Sequence, residues 1–350
     1  MNESTEPVAF SLVLKALQDT NAPFPARYLR SFSDLSRKNL KDLMNIWQSI
    51  PETRKVSLLE DLENVLESDT LVNFDTLARG LLTDVHSSIR VLAMQLLWDC
   101  EDPSLIQDLL NISLSDPDVD ARTTSTSLLS KYVLLGELDA LRSEMKERVT
   151  NTLLTIMKDE DSLRVKQRAL EALGYSSHPA VPGLIQNAYL SAENAWVPSA
   201  LCAMGRSADE GWAPQVDNML TSADPEIQFE AVRAAGELEL TSSRDKMLSL
   251  LEGEIDDQEL KLALIWSLSQ IGGDEVKEKL DELLESALDD EEAEWIEKAL
   301  ENLELSSGGG LELLDFDNDH GDEDEYDVDE FYDDEDLDDF DNELEDEDNL

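Results

Sequence analysis

The chain has 350 residues and a formal charge of −53 at neutral pH, with 80 acidic against 27 basic side chains and hydrophobic residues at 41%. Such a polyanion repels phosphate backbones, and the Lys and Arg clusters that counterion release requires are missing, so direct binding of DNA or RNA is not expected. Its two cysteines, Cys100 and Cys202, lie far apart inside apolar helical patterns, which excludes a disulfide framework and gives no metal-ligand spacing.

The N-terminal stretch MNESTEPVAFSLVLKALQDT carries Glu3 and Glu6 where a signal peptide has basic residues, and its apolar run is too interrupted to span a bilayer. A cytoplasmic protein without membrane contact is therefore expected. KNLKDLMNIWQSIP and RKVSLLEDLENVLE read as helices, and residues 1–75 are taken as divergent capping units.

Beyond them an internal repeat is visible. Helical segments open with an apolar residue, pass through a small residue and close near Gly: IRVLAMQLLW from Ile89, VKQRALEALG from Val165, WVPSALCAMG from Trp196, IQFEAVRAAG from Ile227 and LKLALIWSLSQIGG from Leu260. ARTTSTSLLS, from Ala121, is a weaker copy. The small-residue column falls at Ala93, Ser125, Ala169, Ala200, Ala231, Leu264 and Ile296, with spacings of 32, 44, 31, 31, 33 and 32. The outlying spacing points to an insertion around Tyr132–Lys146. Apolar positions at 0, +3, +4 and +7 mark one buried helix stripe per unit, and turns such as Ser115-Asp116-Pro117 and Ala223-Asp224-Pro225 supply caps. A second helix fills each remaining half, for example 104–114 and 181–190. Gly174, Gly205 and Gly236 are expected to allow close helix approach and to end helices in the left-handed conformation.

A helix pair of this size hides its apolar face only against a neighbouring pair, so the pattern predicts a continuous all-α solenoid of seven to nine pairs. The repeat array is placed at 76–305. The remaining segment, 306–350, opens with Ser306-Ser307-Gly308-Gly309-Gly310 and has 23 Asp or Glu and no Lys or Arg from Leu311 onward. It is expected to be a disordered acidic tail, with too few apolar residues to fold alone. Within it DFDNDHGDEDEY, from Asp315, alternates Asp as a calcium loop does. Gly321 and Tyr326 break that pattern, so no metal site is expected.

The repeated segments resemble the HEAT family, and the ALEALG and SLSQIGG closings are similar to its bacterial subgroup of phycobilisome-lyase HEAT-like repeats. The resemblance covers roughly residues 75–305 and implies a right-handed superhelix with a protein-binding concave face. It also implies a ladder in which a turn acid and a basic residue six positions later bond across successive repeats. Asp84 with Arg90 and Asp116 with Arg122 match that spacing, Glu160 with Lys166 approximates it, and Val197 and Gln228 break it.

Enzymatic members of related families set the alternatives. The paired His-Glu iron ligands of deoxyhypusine hydroxylase are missing, since His86 precedes Ser, His178 precedes Pro and His320 precedes Gly. No phosphate loop or nucleophile elbow occurs. The reading is a non-enzymatic protein-binding scaffold without cofactor, metal or small-molecule substrate. A bilin lyase-like activity and a tail-dependent chaperone or regulator of basic proteins are the alternatives. Candidate contact residues are Val91 and Trp98 in the first well-formed unit, Phe229, Arg233, Leu262 and Trp266 in later ones, and Phe331, Tyr332 and Phe340 in the tail.

Overall fold

The computed structural model describes residues 9–306, except 161, 254, 288 and 289. The acidic tail with Phe331, Tyr332 and Phe340, and the Asp315 run, lie outside the described residues.

Among the described residues all regular structure is helical. Helix α1 (Phe10–Gln18) and a 3-10 segment (Ala26–Phe32) lead into α2 (Arg37–Trp47) and α3 (Glu52–Ser68). Seven hairpins follow: α4 (Asp75–Leu81) with α5 (Ser87–Gln95), α6 (Ile106–Ser115) with α7 (Val119–Glu137), α8 (Ser143–Asp159) with α9 (Leu163–Leu173), and α10 (Val181–Tyr189) with α11 (Val197–Arg206). The last three are α12 (Ala213–Met219) with α13 (Pro225–Glu237), α14 (Arg244–Leu251) with α15 (Gln258–Ile271), and α16 (Asp274–Glu285) with α17 (Asp290–Ser306). The odd-numbered helices from α3 to α17 pack side by side as one layer, and from α4 each even-numbered helix packs on its odd partner. Because α2 also meets α4 and α3 meets α5, the first pair continues both layers. The architecture is an α-solenoid. No helix among the described residues is long and apolar enough to cross a membrane.

The starts of the odd helices follow from their turn acids. Asp118, Asp224 and Asp257 each accept hydrogen bonds from the two backbone N–H groups at the second and third positions beyond them, opening α7, α13 and α15. Pro225 then occupies the first position of α13, where no N–H is needed. The register column is the centre of the packing. Ala93, Ser125, Ala169, Ala200, Ala231, Leu264 and Ile296 are all fully buried. Ser125 is tolerated there because its hydroxyl donates to the Leu109 carbonyl at 2.7 Å.

The insertion near Tyr132 is shared between two helices, extending α7 to 19 residues and α8 to 17. Tyr132 is buried at this point, and its hydroxyl donates to the Cys100 carbonyl at 3.0 Å, with the Asp102 carbonyl 3.2 Å away. Burial pushes the phenol well above its ordinary range, so it remains a donor. Replacing it in Tyr132→Phe is expected to cost about 1 kcal/mol, the usual net worth of one buried hydrogen bond, and urea unfolding measures it.

The glycine column departs from expectation in one respect. Gly174 has right-handed helical angles, and among the described glycines positive φ is confined to Gly272 and Gly273. Close approach, not a left-handed stop, is what Gly174, Gly205 and Gly236 provide. A Cβ on Gly174 would sit 2.8 Å from Ala203 Cα, one on Gly205 3.0 Å from Ala234 Cα, and one on Gly236 2.7 Å from Ser267 Cα. From α9 to α15 the odd helices thus approach backbone to backbone with no room for a methyl group.

Candidate functional site

Two sets of polar residues run along the odd-helix layer, one inside it and one toward its outer face. The inner set is the ladder. Arg90 reaches forward with Nε and Nη2 to both carboxylate oxygens of Asp116, at 2.8 and 2.5 Å, while Nη1 donates back to the Asp84 carbonyl at 2.8 Å. Arg122 repeats this one unit later, with both contacts to Glu160 at 3.1 Å and Nη1 on the Asp116 carbonyl at 2.9 Å. Each acid also accepts the backbone N–H two residues on: His86 to Asp84, Asp118 to Asp116 and Ser162 to Glu160, each at 2.9 Å. One side chain therefore shapes its own turn and receives the cation of the previous repeat. Lys166 is half-buried on α9.

Two rungs escape the six-residue rule. Lys55, three positions before the buried Leu58, as Arg90 stands before Ala93, bonds Asp84 at 3.3 Å. The Trp47 indole N–H donates to the same carboxylate at 2.6 Å. At the far end Lys261 pairs with the buried Glu292. Lys261 lies at the same position relative to Leu264. Gln228, at the corresponding position of α13, keeps only the backward half of the motif, donating to the Leu220 carbonyl at 3.0 Å. Paired charges in this setting add little net stability but fix register, since a displaced repeat would strand a charge.

The outer set lies where α9, α11 and α13 meet. Glu171, buried, accepts from the Ser199 hydroxyl at 2.7 Å and pairs with Arg168 at 2.7 Å. Arg206 donates to the Glu171 carbonyl at 3.0 Å and covers the Tyr175 ring at 5.1 Å. Arg233 pairs with Glu230 at 3.4 Å and Glu237 at 3.1 Å. Burial holds the Glu171, Glu230 and Glu237 carboxyls above the usual carboxylate range, against the opposing pull of these guanidiniums. Burial also pushes the neighbouring Cys202 thiol up to about 12, so it carries no thiolate at neutral pH.

The candidate contact residues distribute along this layer as follows. Phe229 is half-buried with the Arg233 guanidinium 6.0 Å above its ring, which ties both into the seam. Val91 packs, half-buried, against the core. Trp98 stands just beyond α5 and is 54% exposed. Trp266 packs against Trp295 with ring centroids 5.9 Å apart and planes tilted by 47°, and the Trp295 indole N–H donates to the Leu262 carbonyl at 3.3 Å. Trp295 was not singled out by the sequence pattern, although it directly precedes the register residue Ile296.

Comparison with known proteins finds the family model of HEAT repeats matching residues 213–301. No curated protein matches the chain. Among solved structures, the chain is similar to the complex of CpcE and CpcF of phycocyanin lyase from Nostoc sp. PCC7120, at 18% identity and a TM-score of 0.44, covering 65% of this chain and 94% of that one. The YibA protein of Escherichia coli is similar at 17% identity and a TM-score of 0.40, covering 81% and 97%. Human deoxyhypusine hydroxylase in complex with glycerol gives 16% identity and a TM-score of 0.32, covering 75% and 95%. Residues 213–301 carry HEAT repeats.

Proposed function

We propose that this repeat scaffold is non-catalytic and holds partner proteins on the outer face of its odd-numbered helices. The observation carrying this reading is the tryptophan pair: Trp266 and Trp295, each 37% exposed, pack against each other from adjacent helices beside half-buried Leu262. Indoles fixed on rigid helices offer large apolar area at little cost in side-chain entropy, and tryptophan is enriched among residues that dominate interface energy. The charged seam supports the same view, because its carboxylates are engaged by Arg168, Arg233 and Ser199. The acidic tail is read as a second contact, for basic proteins, and its salt-sensitive binding would vanish when residues 311–350 are deleted.

Partners captured by the full-length protein and identified by mass spectrometry are expected to bind the Trp266→Ala/Trp295→Ala variant about tenfold more weakly, as for a modest hot spot. Undiminished binding of every captured partner would remove this reading. A catalytic alternative rests on the raised carboxyls of the seam, protonatable groups being what acid catalysis requires. For a bilin lyase-like activity the test is a changed absorption spectrum when the purified protein is incubated with a bilin.

A further inference from the structure

The tryptophan pair breaks a pattern that the preceding helices keep. Tyr175, just beyond α9, has the Arg206 guanidinium 5.1 Å from its ring centre, and Phe229 on α13 has that of Arg233 at 6.0 Å. Each ring thus presents its electron-rich face to a cation of the chain's own. Trp266 on α15 and Trp295 on α17 remain exposed, and among the described residues no cation lies over either indole.

The surrounding sequence has no cation to spare. From Glu252 to Ser306 it contains 19 acids, four lysines and no arginine. Every one of those lysines is engaged: Lys261 by Glu292, Lys277 by Asp281, Lys279 by Glu282 and Lys298 by Glu294. A carboxylate is left over on the tryptophan side. Glu259 is exposed and makes no ion pair among the described residues. It stands seven positions before Trp266, hence on the same face of α15 and about 10 Å away along the axis, with half-buried Leu262 between the two.

We infer that Trp266 and Trp295 hold an arginine-bearing segment of a basic partner protein. In the bound state a guanidinium lies on the indoles, an aliphatic side chain beside it covers Leu262, and a second cation meets Glu259. Arginine suits the site better than lysine, because a planar, weakly hydrated guanidinium stacks on an aromatic face and still has N–H groups for a carboxylate. The long-range field has the same preference. This stretch is strongly negative and so is the chain as a whole, at −53, so a cationic segment is drawn in and an acidic one is repelled. The inference rests on the reading of the tryptophan pair as the partner contact and adds the chemical class of what the pair holds.

The probe is a short synthetic peptide in which Arg and Leu alternate, titrated into the full-length protein and followed by anisotropy. Its Kd is expected to rise about tenfold in Trp266→Ala/Trp295→Ala and about fivefold in Glu259→Lys. The second variant keeps both indoles and changes a solvent-facing side chain, and unchanged urea unfolding confirms that each variant folds. A peptide with Lys for Arg should bind about threefold more weakly, and one with Glu for Arg should not bind. An Arg/Leu peptide whose Kd is the same in wild type and both variants is held by the polyanion at large and overturns the inference; so does equal affinity for the Glu/Leu peptide. Captured partners that need the tryptophan pair yet are displaced by the Glu/Leu peptide and not by the Arg/Leu peptide would keep the pair as a contact and remove the cationic ligand from it.

Discussion

Replacing Lys55 by alanine is expected to destabilise the protein by about 3–5 kcal/mol, the cost of stranding one member of a buried ion pair. Asp84 and Lys55 have almost no exposed side-chain surface, and the pair sits under the Trp47 ring, whose centroid is 5.0 Å from Lys55 Nζ. Burial pushes the Asp84 carboxyl up, but the His86 N–H, the Trp47 indole and Lys55 together hold it below its ordinary value. The sign of the pH dependence follows. A depressed folded-state pKa contributes stability that is present above the unfolded value and is lost as pH falls through the folded value. In Lys55→Ala the cation is gone and burial weighs more, so the carboxyl takes up its proton at a higher pH. The deficit against wild type should accordingly be largest at neutral pH and shrink on acidification. The double variant Lys55→Met/Asp84→Asn, which buries no charge, should recover most of it. Urea unfolding at several pH values, with hydrogen exchange in α3 and α5, decides the matter. An unaltered midpoint at neutral pH would mean that the pair is not buried in solution.

The second large effect concerns a substitution that ordinarily helps. Within a helix, Gly→Ala stabilises by about 1 kcal/mol, because alanine loses less backbone entropy on folding. At Gly236 the new Cβ would lie 2.7 Å from Ser267 Cα and 2.6 Å from Ser267 Cβ, so α13 and α15 must separate. Overpacking of this type costs about 1–3 kcal/mol, which outweighs the helix gain, and Gly236→Ala is expected to lower the melting temperature. Gly183→Ala is the matched control. That residue is exposed on α10, nothing lies within 4 Å of its added Cβ, and stabilisation by about 0.5–1 kcal/mol is expected. Opposite signs at the two glycines would locate the effect in the contact between helices; equal signs would refute the close approach.

These two sites also mark where the sequence was and was not legible. Ala169, Ala200 and Ala231 could be placed in the core by spacing alone, because a buried stripe must recur once per hairpin. The purpose of Gly174, Gly205 and Gly236 could not. A glycine near the end of a helical pattern serves equally well as a left-handed stop or as a gap for a neighbour, and only the neighbour's position separates the two. The ladder was half visible. Asp84, Arg90, Asp116 and Arg122 betray themselves by the six-residue step inside one turn, whereas the bond itself runs to the next unit. Its length varies with the insertion, from 26 residues between Arg90 and Asp116 to 38 between Arg122 and Glu160. Lys55 and Lys261 were missed because no acid stands six residues before them, although both occupy the position three before a buried register residue. Trp98 and Trp266 were legible as outward positions.

The two ways of joining neighbours divide the array unevenly. Direct forward pairing of cation to acid links α3 through α8 and returns between α15 and α17, while the methyl-free contacts link α9 through α15. Units from the two stretches are consequently not interchangeable modules. A chimaera that moved the α12/α13 hairpin next to α7 would confront Arg122 with a turn that offers the neutral Ser222 in place of a carboxylate, and would leave Gly236 facing a helix cut to a different outline. Shuffling or deletion of units should therefore be tolerated, if anywhere, between hairpins that share the same kind of joint.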